Sequence, residues 1–272
     1  MGLFGDSIEI KTPEQIDAMR RAGLVVGETL ALLRDSVRPG MTTRDLDGIA
    51  AESIRSKGAT PSFLGYQGFP AVICASPNEV IVHGIPNDRV LNEGDIVSID
   101  CGAIVEGWHG DSAITVAVGA TTPENERLMD VTRESMWRGI AAARLGGRIG
   151  DISYAIESYI RTQGRYGVVE EFVGHGIGSE MHMEPNVPNF GKRGKGPKIV
   201  EGMALAIEPM VTLGTKRNTT LEDDWTVVTD DDSWSAHFEH TITVTETGVW
   251  VLTALDGGKA DLERLGVPFG GR

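Results

Sequence analysis

The sequence predicts an α/β fold built as one compact unit of two similar halves. Three observations carry that expectation. Two helical patterns followed by a β-rich stretch occur twice along the chain. Six residues of the first helical pair (Arg38, Gly40, Asp45, Ile54, Arg55 and Gly58) recur 106 positions later as Arg144, Gly146, Asp151, Ile160, Arg161 and Gly164. No low-complexity linker separates the halves, which fall at roughly 12–120 and 121–255 of a single domain spanning 1–272. A chain of 272 residues is long enough to bury one sizeable core, and repeats this long are not solenoid units.

The elements follow from local signals. Thr12-Pro13-Glu14-Gln15 is a helix start: threonine caps, proline suits the first turn, and glutamine completes a capping box. That helix runs to about Leu33, and Pro39-Gly40 breaks the chain. Thr42 or Thr43 caps a second helix that stops near Lys57-Gly58. A β-rich stretch covers about 71–118. Helices are expected from about Pro123 to Arg144 and from Asp151 to Gly164, then a second β-rich stretch covers about 172–252.

Composition narrows the class. Hydrophobic residues at 40% and charged residues at 24% are ordinary for a soluble globular protein. A net charge of -14 argues against a general DNA or anionic-membrane binder. The local exception is the basic loop from Gly191 to Lys198, whose plainer reading is a solvated surface excursion. Two cysteines, Cys74 and Cys101, suggest no disulfide framework. Met1-Gly2-Leu3-Phe4-Gly5-Asp6 has neither the basic n-region of a signal peptide nor the Ser or Thr that myristoylation wants at position six. No apolar run reaches the roughly 18 residues of a membrane span. The expected location is the cytoplasm.

Five residues in separate strand-like stretches carry the chemistry: Asp100, Asp111, His175, Glu208 and Glu239. Four carboxylates and an imidazole are hard donors that suit two divalent cations close together, because carboxylates can bridge. Ile96–Cys101 and Trp108–Val116 read as a hairpin turning at Glu106-Gly107. That turn sets Asp100 opposite Ala113, with Asp111 one diagonal away on the same face. Two such aspartates repel each other unless a cation lies between them; alternatively one is solvated and the other belongs to a turn. His175 sits among glycines in Val173–Gly178, and a lone histidine is usually a satisfied polar residue. Glu208-Pro209 ends the apolar run Met203–Ile207, where an unpaired buried carboxylate is costly. In His237–Val244, His237, Glu239, Thr241 and Thr243 alternate with apolar residues; alone, that strand reads as one with its polar face in water.

The motifs His83-Gly84-Ile85-Pro86, Gly94–Asp100, His109-Gly110-Asp111, Gly174–Gly178, Ile207–Met210 and Phe238–Thr241 together resemble the type I methionine aminopeptidases of compact bacterial form, over roughly residues 10–255. The resemblance implies the pita-bread fold, with two pseudosymmetric αβ halves and a central antiparallel sheet carrying a dinuclear metal site. It implies that Asp100 chelates one metal, Asp111 and Glu239 bridge, and His175 and Glu208 bind the other. His83 and His182 would contact the substrate, and His83, His182 and Glu208 would be catalytic. Phe63, Tyr66, Phe69, Cys74, Met181 and Trp225 would line a methionine pocket, although each is equally read as core packing. No zinc-finger or proline-rich extension precedes the matched region.

The implied reaction removes the N-terminal methionine from nascent proteins whose second residue is small, by attack of metal-activated water on the first peptide bond. Mn(II), Fe(II) or Co(II) suit the hard ligand set better than a structural zinc. The implied partners are nascent N-termini and, through the 192–198 loop, the ribosome; the expected state is a monomer. The alternatives are an Xaa-Pro aminopeptidase or dipeptidase of the same fold, and a non-catalytic peptide- or ribosome-binding module. His237 reads either as a partner orienting Glu239 or as a solvent-facing residue.

Overall fold

The computed structural model describes residues 8–272; the expectations placed on residues 1–6 lie outside it. α1 (Pro13–Ser36) begins with the capping box: Thr12 N–H donates to Gln15 Oε1 at 2.8 Å, and Gln15 N–H donates to Thr12 Oγ1 at 3.4 Å. α2 (Thr43–Ser56) is capped by Thr42, with Asp45 completing its own box. Gly58 follows in the left-handed region, at φ 69°. α3 (Pro123–Ala142) and α4 (Ile149–Gln163) form the second pair, within two residues of their expected ends.

The 106-residue echo is a structural repeat. Gly40 and Gly146 take positive φ of 89° and 83° and donate to Leu91 O and Ile199 O at 2.8 and 2.9 Å. Asp45 and Asp151 accept from the N–H of Thr42 and Arg148, both at 2.8 Å. Ile54 and Ile160 are fully buried. The recurring residues therefore build the same break, cap and core contact in both halves.

In the first half, β1 (Thr60–Pro61), β2 (Ile73–Pro77) and β5 (Trp108–Ala117) all pair antiparallel with β4 (Ile96–Val105), while β3 (Val80–Val82) belongs to another sheet. Glu106 and Gly107 turn the β4–β5 hairpin with φ of 52° and 82°, the positive pair that a type I′ turn requires. Asp100 is opposite Ala113 and Gly102 opposite Asp111. In the second half, β6 (Gly167–Val168), β7 (Gly174–Gly176), β8 (Met183–Val187), β9 (Ala204–Ile207) and β10 (Met210–Thr212) precede β11 (Asn218–Thr220) and β12 (Val227–Thr229). β13 (Ser235–His237), β14 (His240–Thr245) and β15 (Gly248–Val251) follow. The order β15-β14-β9-β7-β8 makes a five-stranded sheet, β13-β10-β6 a second, and β11-β12-β3 a third that joins the two halves of the chain.

α1 and α2 bury Val26, Leu30, Leu46 and Ile54 against Val97, Ile99 and Cys101. α3 and α4 bury Ile140, Ile156 and Ile160 against Leu205, Ile207 and Ile242. Helices thus cover one side of the β-layer and leave the other for the site. Four short elements went unread in the sequence: β1, β6, a 3₁₀ turn at Tyr66–Gly68 and α5 (Lys259–Arg264). None is long enough to show a period.

The reading of His237–Val244 taken alone, as one strand with its polar face in water, is corrected. The ladder stops after His237 and resumes at His240, and His237, Glu239, Thr241 and Thr243 are all buried. Among the described residues no helix is long and apolar enough to cross a membrane.

Candidate metal and peptide-cleavage site

The sheet ladder places the five candidate ligands. Cys74 is opposite Asp100, and Asp100 opposite Ala113. Ala113 exchanges both backbone hydrogen bonds with Glu239, at 2.9 and 3.3 Å. β9 and β14 pair Ile207 with His240, and β10 and β13 pair Met210 with His237. The register is unchanged across the gap, so Glu208 stands opposite Glu239. Directly opposed residues share a face. Cys74, Asp100, Ala113, Glu239 and Glu208 therefore form one rank across the sheet. The next rank holds Asp111 opposite Thr241, whose Oγ1 donates to Asp111 O at 2.8 Å and accepts from Asp111 N–H at 3.1 Å. Thr241 pairs with Ala206, beside which β7 carries His175.

Four of the five candidate ligands are sealed from water to a degree that ordinary polar side chains are not. Asp111 is 3%, Glu208 8%, Glu239 1% and His175 6% exposed; Asp100 is partly buried. His175 Nε2 lies 3.4 Å from Glu208 Oε1. Asp100 Oδ1, Asp111 Oδ1 and Glu239 Oε1 are buried without any hydrogen-bond partner. Asp111, His175 and Glu239 offer donor atoms within 4.8 Å of one another, and so do Glu208, His237 and Glu239. Orphaned buried carboxylate oxygens are expensive unless a cation meets them. The donor set fits hard divalent cations.

Electrostatics agree. Burial pushes the Asp111 carboxyl up to about 7. Burial, reinforced by neighbouring carboxylates, holds Asp100, Glu208 and Glu239 well above the usual carboxylate range. Burial lowers His175 to about 3 and His83 to about 4, which keeps both imidazoles neutral and able to act as ligands or hydrogen-bond partners.

A cavity of about 290 Å³ opens over this face. All six expected pocket residues line it: Phe63, Tyr66, Phe69, Cys74, Met181 and Trp225. Phe69 packs edge-on against Phe63 and Trp225, with ring centroids 6.5 and 5.0 Å apart. Burial, then the adjacent Asp100, pushes the Cys74 thiol well up, so it is not an activated nucleophile. His83 and His182 also line the cavity. His83 is held at φ 59° between the rings of Phe172 and Trp225. His182 is exposed at the mouth; its Nδ1 is 2.8 Å from the Tyr66 hydroxyl, and its ring centroid is 4.3 Å from that of His175.

Sequence reasoning left one contributor out and another undecided. Phe172 closes the wall beside His83, and nothing in its spacing marks it. His237, left open between two readings, is 1% exposed with Nε2 3.6 Å from Glu208 Oε2; it faces Glu208 rather than water. The basic loop keeps its side chains exposed, while its backbone is tied to the start of α4 through Gly150 N–H to Lys195 O, at 2.9 Å.

The model of metallopeptidase family M24 matches residues 17–246. A methionine aminopeptidase of Clostridium acetobutylicum is 52% identical over 247 residues, covering 90% of this chain and 98% of the relative. The crystal structure of methionine aminopeptidase from Rickettsia prowazekii superposes with a TM-score of 0.89 at 43% identity, covering 91% of this chain and all of that one. Prolidase from Pyrococcus furiosus, at 22% identity and a TM-score of 0.73 over 90% of this chain and 65% of its own, shares the fold alone. The chain belongs to metallopeptidase family M24, within its methionine aminopeptidases, and has their pita-bread fold.

Proposed function

We propose that this single catalytic domain removes the N-terminal methionine from nascent polypeptides whose second residue is small, using two divalent cations held by Asp100, Asp111, His175, Glu208 and Glu239. The observation that carries the reading is the meeting, on one sheet face, of three partnerless buried carboxylate oxygens with an apolar cavity. By the resemblance, Asp111 and Glu239 would be ligands to both cations, Asp100 to one, and His175 and Glu208, whose Nε2 and Oε1 lie 3.4 Å apart, to the other. Bound cations would supply Lewis-acid polarisation and lower the pKa of water.

The chain's own groups supply the rest. The carboxyl of Glu208, raised by burial and then by Asp111, is held more basic than an ordinary carboxylate and takes the proton of the attacking water. His182, hydrogen-bonded to Tyr66, donates to the scissile carbonyl oxygen as charge develops there. His83 contacts the scissile amide nitrogen from its place between two rings. The acidic cluster attracts the free α-amine, which confines cleavage to the first bond. Phe63, Tyr66, Phe69, Cys74, Met181 and Trp225 enclose the methionine side chain, whose flexible thioether packs well against aromatic edges.

Mn(II), Fe(II) or Co(II) is the fitting metal. The protein works as a cytoplasmic monomer, and the exposed 192–198 loop offers the ribosome a local positive contact on an acidic protein. Metal analysis combined with a peptide panel tests the reading. The expected result is two equivalents of divalent metal and hydrolysis of Met-Gly-Met-Met falling as the second residue grows. Cleavage of Xaa-Pro peptides alone would overturn it in favour of the proline-specific alternative; full metal loading with no hydrolysis of any peptide would favour the non-catalytic module.

A further inference from the structure

Glu208 is bracketed by two imidazoles. His175 Nε2 approaches Oε1 at 3.4 Å from β7, and His237 Nε2 approaches Oε2 at 3.6 Å from the end of β13. The two histidines are held differently. His175 sits between glycines on the cavity wall and lines the cavity. His237 does not line it: the residue is 1% exposed and lies behind the carboxylate. Its backbone is fixed at both ends by one hydroxyl. Thr115 Oγ1 accepts from His237 N–H at 2.9 Å and donates to His237 O at 2.8 Å, and it also lies 2.8 Å from Ser98 Oγ. A buried ring on so constrained a backbone has little room to turn away. Yet its Nε2 has no hydrogen-bond partner. The nearest carboxylate oxygen is that of Glu208, within a small side-chain adjustment of hydrogen-bond distance.

We propose that His237 is the positioning residue for Glu208. Its Nε2 carries the ring proton and donates to Oε2, fixing the rotamer of the carboxylate and leaving Oε1 to face the cavity. This deepens the reading of Glu208 as ligand and base, and rests on it. Groups that orient a metal-binding carboxylate typically change affinity or activity 10- to 100-fold when removed. The role needs a donor at this place, not an imidazole as such, so a glutamine, whose Nε2 can reach the same oxygen, should serve.

The test compares wild type, His237→Gln, His237→Leu and Glu208→Gln, and the double variant His237→Leu with Glu208→Gln, after thermal unfolding shows each folded. Mn(II) binding is measured by calorimetry, and kcat and KM on Met-Gly-Met-Met separately. His237→Leu is expected to keep the wild-type Mn(II) stoichiometry, to bind the ion about 10-fold more weakly, and to lose kcat about 30-fold with KM within about twofold. His237→Gln is expected to restore both to within about threefold. In the Glu208→Gln background, His237→Leu should add no further loss. Wild-type kcat and affinity in His237→Leu would overturn the proposal. So would loss of a full Mn(II) equivalent in both His237 variants, which would make His237 a ligand, or an undiminished further loss in the double variant. Failure of the underlying reading shows separately, as a wild type that binds no Mn(II) or cleaves no peptide.

Discussion

Glu208 and Glu239 stand opposite each other in a gap of an otherwise continuous antiparallel ladder. The pairs Ile207–His240 and Met210–His237 flank the gap in the same register. Pro209 has no N–H to donate, and two carboxylates directly opposed repel. Local chemistry opens the ladder just where the site requires two side chains to turn toward a common point.

Asp111 tests whether that point is a metal site. Its Oδ1 is buried and partnerless, and its neighbours Asp100 and Glu239 carry the same deficiency. D111N keeps the shape and removes the charge. Calorimetry should show fewer Mn(II) equivalents, and kcat/KM should fall by about three decades or more. Full turnover in this variant would refute the assignment.

Stability of the metal-free protein should depend on pH in a particular sense. Asp111 titrates at about 7, and Asp100, Glu208 and Glu239 well above their ordinary values. A carboxyl whose folded pKa is raised holds its proton more tightly in the native state, so stability is lost as pH rises toward the folded value. His175 and His237, both lowered to about 3 by burial, act in the opposite sense below about 6.5. Above that, histidines of the unfolded chain are already neutral and the carboxyls act alone. With chelator present, Tm should fall between pH 6.5 and 8, by the equivalent of about 1.4 kcal/mol per pH unit for each carboxyl still protonated. Added Mn(II) should remove the slope. A flat chelated profile would contradict the burial of these groups.

Tyr66 and His182 make a smaller prediction. If the Tyr66 hydroxyl donates to Nδ1, at 2.8 Å, the ring proton is left on Nε2 for the substrate. Tyr66→Phe removes one hydrogen bond worth about 1 kcal/mol. It should lower kcat about fivefold with little change in thermal stability. Unchanged kcat would detach the hydroxyl from the reaction.

Gly110, between His109 and Asp111, is a packing residue within a functional motif. A Cβ there would meet Gly23 N at 2.8 Å, where α1 crosses β5 backbone to backbone. Gly110→Ala should cost about 2 kcal/mol through overpacking, seen as a lowered Tm, and should weaken metal binding because Asp111 is the next residue. A variant with wild-type Tm would show that α1 moves away freely.

Much of this was legible in the chain. Thr12 and Thr42 announce their helices, and Glu106-Gly107 announces the hairpin that sets Asp100 opposite Ala113. These are local signals, carried by residues a few positions apart. The candidate ligands could be picked out because carboxylates in apolar strands conflict with burial wherever the strand lies. What His237 faces was not legible, nor which strands close over Glu239. An alternating polar strand has the same sequence whether its polar face meets water or a second acidic sheet. Only the hydrogen bonds joining β5 to residues 237–241, which run from Ala113, Asp111 and Thr115, decide which it meets. Those bonds link positions more than 120 residues apart. The sequence by itself determined the candidate donors and most of the elements that carry them. The tertiary structure decided which carboxylates oppose one another and that an imidazole backs Glu208, because cross-sheet register between distant segments is set by packing of the two halves and not by either strand alone.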